Sequence, residues 1–271
     1  MGNGLAASYH PHRLPRTSGY RPHRLLSYNR RRTSTSPWHD DNNKESFVEA
    51  VVFDFDGLIL DTESCDLQAW QDTFTAYGGA LDFETWAQWL GVAAADCDFY
   101  GVLEHQVGRS VDRDEMRAVF RQRYYALVWE KPLNEGVLDY LHDAERLGLR
   151  IGLASSATRD WAEGHLRRFE IFHRFHATRC AGEAPNAKPA PDLYEAVLRD
   201  LETPPERAVA FEDSPHGVHA AKTAGLFTVA VPNPVAAGLD FNGVDLQLNR
   251  LTDLPLEAVL DQAREARGET R

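Results

Sequence analysis

Cysteine is scarce in this chain of 271 residues: Cys65, Cys97 and Cys180 are an odd number at wide spacing, with no Cys-x-x-Cys pair. That pattern argues against a disulfide scaffold and against a cysteine-built metal site, and it fits a reducing, cytoplasmic compartment. Long apolar runs are missing too. None approaches the roughly 18 residues that a membrane span requires, so no membrane partner is expected. Positive charge is in short supply, with 29 Lys and Arg against 41 Asp and Glu and a formal net charge of -12. The deficit is uneven: residues 1–45 hold eight basic and three acidic residues, which leaves 21 against 38, about -17, for residues 46–271. A polyanion meets net repulsion from that acidic body, so nucleic acid is not an expected partner of the folded part. No internal repeat is present.

Residues 1–45 also lack apolar periodicity. They carry Pro11, Pro15, Pro22 and Pro37, the cluster Arg30-Arg31-Arg32 and the run Thr33-Ser34-Thr35-Ser36. Such a segment buries too little surface to offset its ordering entropy, and disorder is the expectation. Three readings of it stand open: an inert tail or overextended start, a targeting segment whose prolines interrupt the usual amphipathic helix, and a nucleic-acid-binding arm.

At Phe47 the texture changes. Phe47 to Phe53 is a short β-branched and aromatic run that reads as a buried strand, ending in Asp54-Phe55-Asp56-Gly57. Leu149–Ala154, Ala208–Phe211 and Leu226–Val231 read as further strands, with weaker candidates near His176 and Leu246. Helical spacing follows Asn134 and Thr158, starts at Pro191 and follows Ser214. Strands alternating with helices predict an α/β fold, a parallel sheet covered on both faces. The stretch 66–131 breaks the alternation. It has no convincing strand but has helical spacing at Trp70, Phe74 and Tyr77, at Phe83, Trp86, Ala87 and Leu90, and at Met116, Val119, Phe120 and Leu127. The expected organisation is a tail over 1–45, a core over 46–65 and 132–271, and a helical insertion over 66–131.

Parallel sheets bind ligands beyond the carboxyl ends of their strands. Those positions hold Asp54 and Asp56, then Ser155 and Ser156, then Glu212 and Asp213, with Lys188-Pro189-Ala190-Pro191-Asp192 in a loop. Up to four carboxylates gathered at one edge need a cation, and hard oxygen donors suit Mg²⁺. A metal there attracts a phosphoryl group, Lys188 and the Ser155 hydroxyl complete a cradle for it, and an aspartate in that setting can attack phosphorus while a second supplies a proton. Singly, each residue has an ordinary alternative. Asp-x-Asp-Gly is common turn punctuation, Ser155, Ser156, Thr158, Asp213 and Ser214 suit helix caps, and Lys188 suits a solvated loop. It is the joint occurrence after successive strands that favours chemistry. Trp70, Trp86, Trp89, Trp129 and Trp161 read as packing residues rather than stacking platforms, and His10, His12 and His23 have no site-building spacing.

Val51 to Glu63, Leu153-Ala154-Ser155-Ser156, Lys188 to Asp192, and Phe211-Glu212-Asp213-Ser214 with Gly217 resemble, in order, the four motifs of the haloacid dehalogenase superfamily. The similarity is to its phosphatase and phosphomutase branch, and it spans about Val48 to Leu254. The resemblance implies a Rossmann-like core with an inserted helical cap. It implies Asp54 as nucleophile, Asp56 as general acid and then base, and Ser155, with Ser156 beside it, and Lys188 as holders of the phosphoryl group. Mg²⁺ would be bound by the Asp54 carboxylate, the Asp56 backbone carbonyl and Asp213 with Glu212. The implied partner is a small phosphorylated metabolite, such as a sugar phosphate. Two departures from the pattern stand out. Ala187 precedes Lys188 where relatives have glycine, and Asp66 stands where sugar-phosphate mutases have a histidine. The second favours hydrolysis over the alternative, a mutase using the same aspartyl-phosphate. A non-enzymatic phospho-accepting module fits less well, because such modules lack both the cap and the second aspartate. Halide displacement would need neither a metal nor an acid at Asp56.

Overall fold

The computed structural model describes residues 48–88 and 98–268. The expectations for residues 1–45, and those resting on Phe47, Trp89, Leu90 and Cys97, lie outside the described residues. Among the described residues, no helix is long and apolar enough to cross a membrane.

The strands are β1 (Ala50–Phe53), β2 (Arg150–Ala154), β3 (Ala177–Arg179), β4 (Ala208–Glu212), β5 (Phe227–Ala230) and β6 (Leu246–Gln247). They form one parallel sheet in the order β3-β2-β1-β4-β5-β6. Both weaker strand candidates are therefore real, as β3 and the short edge strand β6. β1 is apolar throughout, and β2 and β4 are apolar but for Arg150 and Glu212 at their ends, as strands covered on both faces are. Within that continuity the residue sizes alternate. Val51, Phe53, Ile151, Leu153, Val209 and Phe211 fall in one core cluster, and Ala50, Val52, Ala154, Ala208 and Ala210 fall in another. Successive side chains point to opposite faces, so one face is bulky and the other shallow.

Each face selects its helices accordingly. The bulky face packs α5 (Val137–Arg146), α6 (Arg159–Arg168) and α9 (Leu256–Ala266), while the shallow face lets α7 (Asp192–Asp200) and α8 (Pro215–Thr223) approach closely. At Gly152 a Cβ would lie 2.4 Å from Val197 of α7, which is why glycine stands there. Side-chain oxygens start two of these helices, Thr158 accepting from Trp161 N and Ser214 from Gly217 N.

Between β1 and α5 the chain forms α1 (Glu63–Tyr77), α2 (Phe83–Ala87), α3 (Phe99–Val107) and α4 (Arg113–Glu130). These four helices fill the stretch between β1 and α5, with α1 starting three residues before position 66. Their own core centres on Trp70, sandwiched between Phe99 at 4.1 Å and Phe120 at 4.2 Å. Offset stacks of this kind add to the stabilisation from burial alone. Asp61 starts α1 by accepting from Ser64 N at 3.1 Å, and its other oxygen pairs with Lys131 Nζ at 2.7 Å. The chain's entry into α1 and its return after α4 are thus tied to each other, and Asn134 N bonds Ile59 O at 3.0 Å.

Candidate active site

The strand order reverses between β1 and β4, where the chain runs outward in both directions. Asp54 follows β1 there, and Glu212 ends β4 with Asp213 next to it. Such a switch point opens a crevice at the carboxyl edge. All three carboxylates are buried, and one oxygen from each lies within 4.8 Å of the others, an arrangement able to hold a metal ion.

Lys188 enters this cluster from the loop between β3 and α7. Its side chain is 6% exposed, which rules out the solvated-loop alternative. The ammonium donates to the Asp54 carboxylate, to Glu212 Oε1 at 2.6 Å and to the Ala154 carbonyl at 2.8 Å, so all three of its protons are used. Glu212 Oε1 also accepts from the Tyr194 hydroxyl at 2.5 Å, and Asp213 Oδ2 accepts from Asn233 Nδ2 at 2.6 Å. Tyr194 and Asn233 were not among the expected site residues. The signals available were an apolar-face tyrosine in the first turn of α7 and an asparagine between two prolines after β5.

Two glycines make room for these acids. Gly57 has φ +78°, and a Cβ on it would fall 1.7 Å from Asp213 Oδ2; one on Gly217 would fall 1.9 Å from Glu212 Oε2. Asp213 is therefore no helix cap, and Ser214 takes that role. Ser155 is buried after β2 and accepts from Ala157 N at 3.0 Å. Ser156, next along, is exposed, and its side chain joins none of the hydrogen bonds that tie the cluster together.

Asp56 sits apart from the three-carboxylate cluster. Its Oδ1 accepts from Trp161 Nε1 at 3.0 Å, and Thr62 also favours its charged form. Here the packing-only reading of Trp161 is corrected: the indole packs, but its N–H is committed to a carboxylate at the site. Trp70 and Trp86 are buried as expected, and Trp86 Nε1 donates to Asp66 at 3.0 Å.

Electrostatically the cluster is overloaded with negative charge. Burial pushes the Asp54 carboxyl up to about 8, against the opposing pull of Lys188 and with Glu212 adding to the rise. Asp213 is raised well above its ordinary range by burial and by Asp54 and Glu212. Burial alone would lower Lys188, but Asp54 and Glu212 outweigh it and keep the lysine protonated. Asp56 is raised by burial, while Trp161 and Thr62 favour its charged form. Burial, with Asp66 and Asp56 adding, lifts Glu63 to about 8, and burial lifts Asp66 to about 6 against its bond from Trp86. One lysine against so many carboxylates leaves a place for a cation or for the proton of an acid.

The family described as haloacid dehalogenase-like hydrolase matches residues 51–231, a span containing Asp54, Asp56, Ser155, Lys188, Glu212 and Asp213. YhcW of Bacillus subtilis (strain 168), a proposed phosphatase, is 37% identical over 214 residues, covering 79% of this chain and 97% of its own length. A phosphorylated carbohydrates phosphatase of Thermotoga maritima is 30% identical over 187 residues, covering 66% of this chain and 82% of its own. The crystal structure of a CbbY variant from Rhodobacter sphaeroides in complex with xylulose-(1,5)bisphosphate aligns with a TM-score of 0.63 at 30% identity, over 76% of this chain and 96% of that one.

Proposed function

The chain belongs to the haloacid dehalogenase-like hydrolase family and is a phosphatase, and from that premise we propose that it is a Mg²⁺-dependent one. In this reading it hydrolyses a small phosphorylated metabolite, a sugar phosphate, through an aspartyl-phosphate on Asp54. The observation that carries the reading is the buried set Asp54, Glu212 and Asp213 around Lys188. Three carboxylates with oxygens this close are the donor chemistry that a hard divalent cation requires, so the residues fit the metal. Asp54, Asp213, Glu212 and the Asp56 backbone carbonyl would hold it. Mg²⁺, when bound, supplies positive charge that neutralises the cluster and the phosphoryl oxygens.

The chain's own residues then divide the work. Lys188 gives up one of its three present acceptors to hold a phosphoryl oxygen, and the buried Ser155 hydroxyl, with exposed Ser156 beside it, donates to another. One Asp54 carboxylate oxygen attacks phosphorus, and the P–O bond to the leaving group breaks. Asp56 gives its proton to the departing oxygen. Water then attacks phosphorus, Asp56 takes its proton, and inorganic phosphate leaves with Asp54 restored. The raised value of Asp56 suits the first of its two duties, and the opposing influence of Trp161 and Thr62 suits the second.

The substrate class rests on the named activities of the relatives, which act on or bind phosphorylated carbohydrates. Asp66 supports hydrolysis over mutation, since its carboxylate accepts from Trp86 where the mutases present a histidine. Buried, unpaired Cys65 and Cys180 support a reducing, cytoplasmic setting. The test is a phosphate-release screen over sugar phosphates, nucleotides and phosphoglycolate, with and without Mg²⁺. Mg²⁺-dependent free phosphate is the expected product. An isomerised sugar phosphate without free phosphate would make the protein a mutase, and no Mg²⁺-dependent release across the panel would overturn the reading.

A further inference from the structure

Trp161 lies in the first turn of α6, outside all four motifs, yet its ring meets both Asp56 and two tyrosines of α4. Its indole N–H donates to Asp56 Oδ1 at 3.0 Å. The ring itself is held from three sides. Tyr124 of α4 stacks on it with centroids 5.6 Å apart and planes 18° apart, Tyr125 leans on it at 5.6 Å and 41°, and His165 meets it edge-on at 4.4 Å and 74°. An indole boxed in this way has little rotational freedom, so its N–H has a set direction. A neutral N–H aimed at a carboxylate makes one of the stronger hydrogen bonds available to a side chain.

The two tyrosines belong to the cap and the histidine to the core. The C-terminal end of α4 is also anchored to α6, where the Arg168 guanidinium donates to Lys131 O at 2.7 Å and lies 4.8 Å from the Trp129 ring. The face of α4 that stacks on Trp161 is therefore held in register with the helix that carries it. On the other side of Asp56, Thr62 sits at the entry to the cap and accepts from Gly57 N at 3.1 Å. The hydrogen bond that α6 makes to Asp56 is thus braced by the cap, while Thr62 at the hinge steadies the backbone of Gly57 next to Asp56.

We propose that Trp161 is a positioning residue: it sets the direction of the Asp56 carboxylate and makes that direction depend on where cap helix α4 sits. The inference rests on Asp56 being the acid and base of the reaction. It assigns to one indole the coupling between cap and proton transfer, because the same ring contacts both. Proton-transfer geometry is steep, and a group displaced by about 1 Å can lose on the order of 100-fold in rate.

The test is a double-mutant cycle on the full chain with Mg²⁺, using phenyl phosphate, whose leaving oxygen needs a proton. Trp161→Phe keeps a ring to stack on Tyr124 and deletes the N–H. The expected result is a fall in kcat of about 10- to 100-fold with KM changed less than about threefold, and loss of that effect in an Asp56→Asn background. A fall of equal size in both backgrounds would make Trp161 a packing residue only and overturn the proposal, as would an unchanged kcat. Tyr124→Leu is the second arm, because it removes the stack and leaves the donor and acceptor in place. It should also lower kcat in an Asp56-dependent way, and a loss independent of Asp56 would contradict the coupling. If Asp54→Asn abolishes turnover while Trp161→Phe is silent, the positioning role fails and the phosphatase reading stands. If Asp54→Asn turns over normally, that reading itself has failed.

Discussion

At one end of the proposed site Lys188 bonds two carboxylates and a carbonyl within a buried cluster; at the other Asp56 bonds an indole that is packed among stacked rings. The first end is built from formal charge and comes from strand ends and core loops, with Tyr194 of α7 bonding Glu212. The second is built from aromatic packing and takes its parts from the hinge, α6 and α4. The difference teaches which end tolerates change. A buried charge network stands or falls together, because removing one partner leaves the others uncompensated. An aromatic wall loses area and direction by degrees.

Lys188→Met should have the largest effect at the charged end. It removes the cation that faces Asp54 and Glu212, so turnover should fall below detection. Leaving a buried ion pair half-made should also cost about 3–5 kcal/mol of stability, read as a lowered urea midpoint. If Lys188→Met left stability unchanged, the cluster would not be the coupled unit described. Asp56→Asn, at the other end, should slow phosphate release by about 10²–10⁴-fold, the scale of general acid–base assistance, with little change in the urea midpoint. A collapse of the fold on that substitution would erase the contrast between the two ends.

The smallest effect belongs to Asp66, in the first turn of α1. Burial raises its carboxyl from the ordinary 3.8 to about 6. In the folded protein it holds a proton that the unfolded chain has already released, so its contribution to stability is intact below about pH 4 and is lost as pH rises through about 6. Asp66→Asn carries no charge and still offers Trp86 Nε1 an acceptor. It should stabilise the fold by about 1–2 kcal/mol at pH 8 and by nothing measurable at pH 4, as urea midpoints at the two pH values would show. A gain independent of pH would place its cause outside ionisation.

The charged end was largely legible in the sequence, because Asp54, Ser155, Glu212 and Asp213 each follow an apolar strand and strand ends of a parallel sheet converge. Lys188 was legible for its motif, though only the fold explains its three acceptors. The aromatic end was not. Trp161, Tyr124 and Trp86 have the spacing of ordinary helix packing, and nothing in that spacing says which ring edge carries an N–H toward a carboxylate. Asn233 and Tyr194 were missed for a related reason: each reaches the cluster across the sheet edge from a different element, at a sequence separation that periodicity does not see. The alternation of bulky and shallow strand faces was present in Ala50-Val51-Val52-Phe53 and in Ala208-Val209-Ala210-Phe211, but which helices it selects became clear only from the packing.

The central claim is that Asp54, within its buried cluster, carries the phosphoryl group. The most direct measurement compares phosphate release by the metal-stripped full chain and by Asp54→Asn, on the best sugar phosphate of the screen, before and after Mg²⁺ is added. Release by the wild-type chain only after Mg²⁺, and none by Asp54→Asn in either condition, is the predicted result. Release by Asp54→Asn at the wild-type rate would contradict it.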